Sequence, residues 1–93
     1  VLAHGLWLDA DDRARLAATG AHVAHCPTSN LFLGSGLYGW REALAAGHAT
    51  SLASDVGGGT ALNLLRNAAA AYSVQALQGQ RLTAWVALHA ATR

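Results

Sequence analysis

The sequence predicts an α/β fold in which parallel strands alternate with helices, and it favours a segment of a (β/α)8 barrel over half of a doubly wound sheet. Three short apolar runs are each followed by loop residues and a helical pattern; the runs cover residues 1–4, 21–26 and 48–55. Parallel strands need crossover connections of this length. His4, the polar stretch 25–30 and Asp55 all stand where a strand ends, which is the catalytic face of a barrel.

The first unit runs from the strand at residues 1–4 into a helix. Asp9 can accept hydrogen bonds from backbone N–H groups at a helix start, and Asp11 and Asp12 suit the positive end of the helix dipole. Gly20 is predicted to end this helix, because glycine adopts the left-handed conformation common at helix ends.

The second unit has the same order of elements. Its strand passes into residues 27–37, which contain two glycines after Pro-Thr-Ser-Asn and are predicted to be a loop. Residues 38–46 are predicted to form a short helix that Gly47 closes.

In the third unit, three consecutive glycines at residues 57–59 follow the strand. Apolar residues then recur at spacings of three and four, which predicts a helix with one apolar face. That face contains Leu62, Leu65, Ala69, Tyr72 and Ala76. Gly79 is predicted to close this helix, and Thr83 to cap another that runs toward Thr92.

Composition limits the chain to one domain and suggests part of something larger. A chain of 93 residues has room for a single core, so residues 1–93 are predicted to be a fragment of one barrel domain. Hydrophobic residues make up 53% and charged residues 12%, which leaves little solvated surface. The apolar start at Val1 without an initiator Met, and the end at Arg93 just after a helical pattern, agree with this expectation.

Charge and cysteine content argue against several classes of partner. A net charge of +1 without a basic run favours neither nucleic acid nor a polybasic contact with a membrane. No apolar stretch reaches the roughly 18 residues of a membrane span, and no secretory signal is seen, so a cytoplasmic location is expected. The single cysteine, Cys26, supports neither an internal disulfide nor a zinc finger. A small molecule is therefore the expected partner.

Asp55 and His4 are the residues best placed for chemistry. A carboxylate at the end of an apolar strand is costly to bury unless it is paired, hydrogen-bonded or bound to a metal, although it could equally cap the turn or helix that follows. A single histidine at a strand end is more often structural. Because two strand ends of one sheet can converge, the pair together suits metal ligation or general acid–base catalysis.

Two other sequence features are weaker evidence for a functional site. The glycines at residues 57–59 could hold a phosphate before a helix, but they lack the spacing of known phosphate-binding loops. His25-Cys26-Pro27 is comparable to the signature of cytidine-type zinc deaminases, but the glutamate and second cysteine of that signature are absent. His25 and Cys26 are therefore predicted to pack at a strand end. The remaining histidines are predicted to be surface or packing residues: His22, His48 and His89.

Three motifs carry a resemblance to a known family. They are Leu-Ala-His-Gly at residues 2–5, His-Cys-Pro-Thr-Ser-Asn-Leu-Phe-Leu-Gly-Ser-Gly-Leu at 25–37, and Ser-Asp-Val-Gly-Gly-Gly-Thr at 54–60. Together they resemble the guanine deaminases of the amidohydrolase superfamily, and the similarity extends through residues 71–75 to 90–92. The resemblance implies a TIM-type (β/α)8 barrel in which this chain supplies strands six to eight with their helices.

The resemblance also implies roles for both candidate residues. Asp55 would ligate a catalytic zinc and accept a proton from the attacking water, and His4 would face the water and substrate and stabilise developing charge. The reaction would convert guanine to xanthine and ammonia, in an enzyme expected to be a homodimer at full length. The other family ligands, a His-x-His pair and a further histidine, would lie before residue 1, so the isolated chain is expected to be inactive.

Two alternatives remain. The His-Cys-Pro-x-Ser-Asn motif also occurs in other amidohydrolases, including adenosine-type and S-adenosylhomocysteine deaminases and triazine hydrolases, whereas the glycines after Asp55 favour guanine. The second alternative is a noncatalytic module that binds a ligand or partner through the glycine loop.

The pair at residues 53–54 is Ala-Ser where the family commonly has Gly-Thr, which could change packing behind Asp55. An isolated barrel piece would leave a strand edge unpaired and is expected to associate or to fold poorly.

Overall fold

The computed structural model describes residues 1–92. Within these residues lie three strands and five helices, with one or two helices after each strand. They are β1 (Leu2–Ala3), α1 (Ala10–Thr19), β2 (His22–His25), α2 (Pro27–Leu33), α3 (Trp40–Ala46), β3 (Ala49–Leu52), α4 (Leu64–Leu77) and α5 (Ala84–Thr92).

The strands form one parallel sheet in the order β1-β2-β3. The ladder continues beyond the strands, because the His4 amide donates to the Ala24 carbonyl at 2.9 Å and the Ala53 amide donates to the His25 carbonyl at 2.9 Å. The predicted α/β class with parallel strands and helical connections is confirmed. That the strands are numbers six to eight of a barrel remains a prediction.

Local signals set most helix ends where the sequence predicts them. Asp9 caps α1 in a capping box with Asp12, and Gly20 ends that helix in the left-handed conformation at φ 67°. Gly47 ends α3 in the same way at φ 80°. The Thr83 hydroxyl oxygen accepts a hydrogen bond from the Val86 amide at 3.3 Å, at the start of α5.

The segment at residues 27–33 is a helix, so the prediction of a loop there was wrong. Pro27 occupies the first turn, where its missing N–H costs nothing and its fixed φ suits a helix. The Asn30 amide donates to the Cys26 carbonyl at 3.0 Å, and Gly34 ends the helix at φ 65°. The turn-forming residues at its start led to the prediction of a loop. Because the first four residues of the helix are buried, tertiary packing stabilises it.

Helix α4 buries a different face from the apolar one seen in the sequence. Leu65 is 63% exposed and Tyr72 53% exposed, whereas Asn67 and Gln75 are buried. Both buried side-chain amides form hydrogen bonds with protein groups in place of water. Asn67 Oδ1 accepts from the Thr28 hydroxyl at 2.9 Å, and Gln75 Nε2 donates to the Tyr38 carbonyl at 2.9 Å. Periodicity therefore identified the helix but not the side that faces the sheet.

The core lies between the sheet and the helices. It consists of Leu16, Val23, Tyr38, Trp40, Ala43, Leu52, Ala71, Leu82, Ala87 and Ala90. No helix within residues 1–92 is both long enough and apolar enough to cross a membrane.

Candidate active site

His4 and Asp55 converge at one edge of the sheet. His4 follows β1 and Asp55 lies three residues after β3, and His4 Nε2 is 3.8 Å from Asp55 Oδ2. Both side chains are partly open to solvent, at 42% and 33% exposure. The carboxyl ends of the two outer strands thus bring together the residues that the sequence singled out, close enough for both to contact one small ligand.

The backbone is strained at both residues. In the part of the chain that the structure describes, His4 at φ 67° and Asp55 at φ 53° are the non-glycine residues with positive φ. At His4, the Gly5 amide donates back to the Ala3 carbonyl at 2.9 Å and closes a three-residue γ-turn. Such conformations cost about 1–3 kcal/mol each and persist where the surrounding structure enforces them, often at functional sites.

Two consecutive buried residues of α2 form hydrogen bonds with the side chains of His4 and Asp55. The Ser29 hydroxyl donates to Asp55 Oδ2 at 2.6 Å, and Asn30 Oδ1 lies 2.9 Å from His4 Nδ1. Ser29 is fully buried and Asn30 is 2% exposed. Both residues belong to the His-Cys-Pro-Thr-Ser-Asn motif, but the sequence predicted a role for neither. The available signal was two adjacent polar residues in the short polar stretch that follows a buried strand end.

The glycines after Asp55 serve the site by shaping its backbone. The amides of Gly58 and Gly59 donate to the Asp55 carbonyl at 3.1 and 2.6 Å. A Cβ on Gly58 would lie 2.8 Å from Asp55 Oδ2 and 2.9 Å from Ser29 Oγ. Helix α4 begins only at Leu64, capped by Asn63, so residues 57–59 do not form a phosphate cradle at its N-terminus.

A cavity of about 350 Å³ opens beside the pair. Besides His4 and Asp55 it is lined by Gly5, Leu6, Trp7, Leu33 and Ser35. The Trp7 indole N–H donates to the Ser35 carbonyl at 3.2 Å, which ties the loop after β1 to the loop after α2. The cavity offers apolar walls with a histidine and a carboxylate at one end, a common composition for small-molecule sites.

The other histidines and the cysteine stay outside this cavity. His25 is fully buried and stacks on Tyr38 with ring centroids 4.5 Å apart; burial, with a smaller contribution from nearby His4, lowers its pKa from 6.5 to about 3. Burial likewise raises the pKa of the Cys26 thiol above its ordinary value. His48 is buried beside Arg13, with Nη1 of Arg13 3.2 Å from His48 Nε2. His22 is partly buried and His89 exposed, so all of these fit packing or surface roles.

The sequence model of the amidohydrolase family matches residues 1–92, and it includes both convergent residues. This chain belongs to the amidohydrolase family. It is 41% identical over 92 residues to guanine deaminase of Escherichia coli K12, covering 99% of this chain and 21% of that protein. The solved structure of the E. coli enzyme matches 96% of this chain with a TM-score of 0.93.

Two further relatives bear on the substrate. Guanine deaminase from C. acetobutylicum, solved with guanine bound in its active site, matches 96% of this amidohydrolase chain and 23% of its own, with a TM-score of 0.92 at 26% identity. A 5-methylthioadenosine/S-adenosylhomocysteine deaminase from Pyrococcus abyssi is 40% identical over 55 residues, which cover 59% of this chain and 13% of that protein. This chain therefore spans about a fifth of the length of the guanine deaminases that it matches.

The donor set of this amidohydrolase chain fits part of a metal site. An imidazole nitrogen and a carboxylate oxygen are both common zinc ligands, and here they face the same cavity. Within residues 1–92 no group of three His, Cys, Asp or Glu side chains could hold a metal ion. A catalytic zinc usually takes three protein ligands, so the described residues can supply only a share of the set.

Proposed function

We propose that this chain is part of a guanine deaminase, which hydrolyses guanine to xanthine and ammonia. The observation that carries the proposal is the approach of His4 to Asp55 at two strand ends, beside a cavity of about 350 Å³. The sequence and structural similarity to guanine deaminases over nearly the whole chain supports guanine as the substrate. A cytoplasmic location and a homodimer at full length are part of the same proposal.

We assign Asp55 as the ligand that this chain contributes to zinc, and both Asp55 and His4 as residues that contact the substrate. Zinc, when bound, supplies the Lewis acidity that makes water a nucleophile at neutral pH. The Asp55 carboxylate accepts the proton of the attacking water and returns it toward the departing amine. The Ser29 hydroxyl holds Oδ2 of that carboxylate in place. His4, whose Nε2 lies 3.8 Å from Oδ2, would contact the attacking water and the substrate and stabilise the charge that develops once it has taken up a proton.

A purine deaminase with another substrate is the second candidate. The 5-methylthioadenosine/S-adenosylhomocysteine deaminase from P. abyssi supports it, because its identity to this chain is nearly as high. That similarity covers 55 residues, whereas the E. coli guanine deaminase is similar over 92. Guanine is therefore the better supported substrate.

Ammonia release from guanine by the zinc-loaded full-length protein tests the proposal. Asp55→Asn keeps the shape of the side chain but removes the proton acceptor and the anionic ligand, so we expect release to fall by at least about 100-fold. Asp11→Asn makes the same chemical change on the exposed surface of α1 and should leave the rate unchanged.

Three outcomes would contradict this assignment in whole or in part. Full activity in Asp55→Asn would remove Asp55 from the mechanism. Turnover of S-adenosylhomocysteine or a triazine, without release from guanine, would keep the reaction class and replace the substrate. No zinc-dependent turnover of any of these compounds would favour the noncatalytic alternative.

A further inference from the structure

The side-chain amide of Asn30 lies between two histidines. Its oxygen is 2.9 Å from His4 Nδ1, and its nitrogen is 3.5 Å from His25 Nδ1. Asn30 itself is 2% exposed, so water does not compete for these contacts. A primary amide carries one acceptor and one donor group, and each histidine therefore meets a different end of the same side chain.

The surroundings of His25 are compatible with the amide orientation in the structure. Its side chain is fully buried and stacked on Tyr38, and its Nε2 has no hydrogen-bond partner in the part of the chain described. A neutral imidazole carries one proton, and with that proton on Nε2 its Nδ1 accepts from the Asn30 amide N–H. In the structure the amide nitrogen faces His25 and the amide oxygen faces His4. Because an amide oxygen can only accept, this orientation has His4 donate from Nδ1.

We propose that Asn30 is a positioning residue that holds the proton of neutral His4 on Nδ1 and leaves the Nε2 lone pair toward the cavity. Nε2 and Asp55 Oδ2, 3.8 Å apart, then form two convergent acceptors for the polar hydrogens of water and substrate. Outer hydrogen bonds of this kind fix the tautomer and orientation of functional histidines. The catalytic consequence rests on the proposed function; the placement of the proton does not.

The main chain of Asn30 has a separate structural role. Its carbonyl accepts from the Ser35 amide at 2.9 Å and so holds the loop after α2. A substitution of the side chain leaves this backbone contact in place. The effect of the amide on His4 can therefore be measured apart from the folding of the loop.

Nitrogen-15 NMR of the histidine rings in the full-length protein reports the tautomer directly, and His4→Gln identifies the His4 signals. We expect protonated Nδ1 and unprotonated Nε2 in the neutral wild-type ring. Asn30→Leu, which has a similar size but no acceptor, should lose this preference and lower kcat for guanine about 10- to 100-fold, with KM changed less. Asn30→Asp retains an acceptor oxygen and should restore the Nδ1 proton.

Thr28→Val is the matched control for packing of α2. It removes the hydrogen bond from Thr28 to Asn67 but does not touch His4, so the His4 signals should stay as in wild type. A wild-type His4 that carries its proton on Nε2 would overturn the proposal without any variant, as would an unchanged tautomer in Asn30→Leu. If the tautomer depends on Asn30 but guanine is not deaminated, the positioning role stands and the proposed substrate fails.

Discussion

Asp55 is constrained from several directions at once. Its φ is positive, its carbonyl accepts from the amides of Gly58 and Gly59, and its carboxylate accepts from the buried Ser29 hydroxyl. The first two features fix the backbone of the residue, and the Ser29 hydroxyl restricts rotation of the carboxylate. Preorganisation of this kind is what a group that must meet a reacting atom requires.

Gly58→Ala tests this constraint. The added Cβ would approach Asp55 Oδ2 to 2.8 Å and Ser29 Oγ to 2.9 Å, so the carboxylate must move. We expect kcat for guanine to fall by roughly 100-fold, because a displacement of about 1 Å can cost that much. Gly79→Ala is the comparison: no atom lies within 4 Å of its Cβ, but its φ of 68° makes alanine unfavourable.

The two glycine variants should separate activity from stability. Gly79→Ala should lower the free energy of unfolding by about 1 kcal/mol through backbone strain and leave kcat unchanged. Steady-state kinetics and chemical denaturation of both variants measure this. Wild-type kcat in Gly58→Ala would mean that the carboxylate is not held as tightly as its contacts indicate.

At the scale of elements, strand β2 ends in a buried histidine. His25 stacks on Tyr38 at 4.5 Å and meets the edge of Trp40 at 6.0 Å, which joins the central strand to the start of α3. Burial of the ring lowers the pKa of His25 to about 3. Protonation of this histidine is therefore expected to destabilise the end of the strand.

Stability should consequently depend on pH through His25. Because the folded pKa is lowered from 6.5 to about 3, the unfolded chain binds a proton in this window that the folded chain does not. The free energy of unfolding is then highest above pH 6.5 and falls as pH drops, by as much as about 5 kcal/mol. His25→Gln should flatten this slope in denaturation of the full-length protein between pH 7.5 and 4.5.

His89→Gln is the control for that slope, because His89 lies exposed on α5. The His89 variant should follow the wild-type dependence on pH. Equal slopes in wild type and His25→Gln would show that the buried ring is not the group whose protonation destabilises the fold.

Sequence signals predicted the elements that local chemistry determines. Asp9, Gly20 and Gly47 cap or end helices through their own conformations and hydrogen bonds, and the structure confirms them. Helix α2 was missed because Pro-Thr-Ser-Asn is typical of turns, and its burial depends on contacts with α4 that are distant in sequence. The convergence of His4 with Asp55 followed from strand order, whereas the contacts from Ser29 and Asn30 depend on the orientation of α2.

At the scale of the whole molecule, much apolar surface is exposed. A cavity of about 430 Å³ between α4 and α5 is lined mainly by apolar side chains, among them Leu65, Tyr72 and Leu88. Trp85 is 81% exposed on α5, and Trp7 is 84% exposed near the active-site cavity. Within residues 1–92, β1 pairs only with β2, so its other edge is unpaired. Exposed apolar patches and free strand edges both favour association.

The 93-residue chain alone should therefore associate. We expect sedimentation velocity to detect oligomers, and a dye specific for exposed apolar surface to bind the chain more strongly than it binds the full-length protein. A monomer with a sharp two-state thermal transition would contradict this expectation. The exposed face of α4, with Leu65 and Tyr72, would then be ordinary surface.

The left-handed backbone at His4 and Asp55 affects which substitutions would stabilise the protein at these two positions. Glycine would adopt these conformations without a steric penalty, so a selection for thermal stability alone would favour glycine at both positions. That replacement would remove the imidazole and the carboxylate together. His4 and Asp55 thus represent a trade-off between stability and function, because the backbone conformation is unfavourable for the two residues that carry the reactive groups.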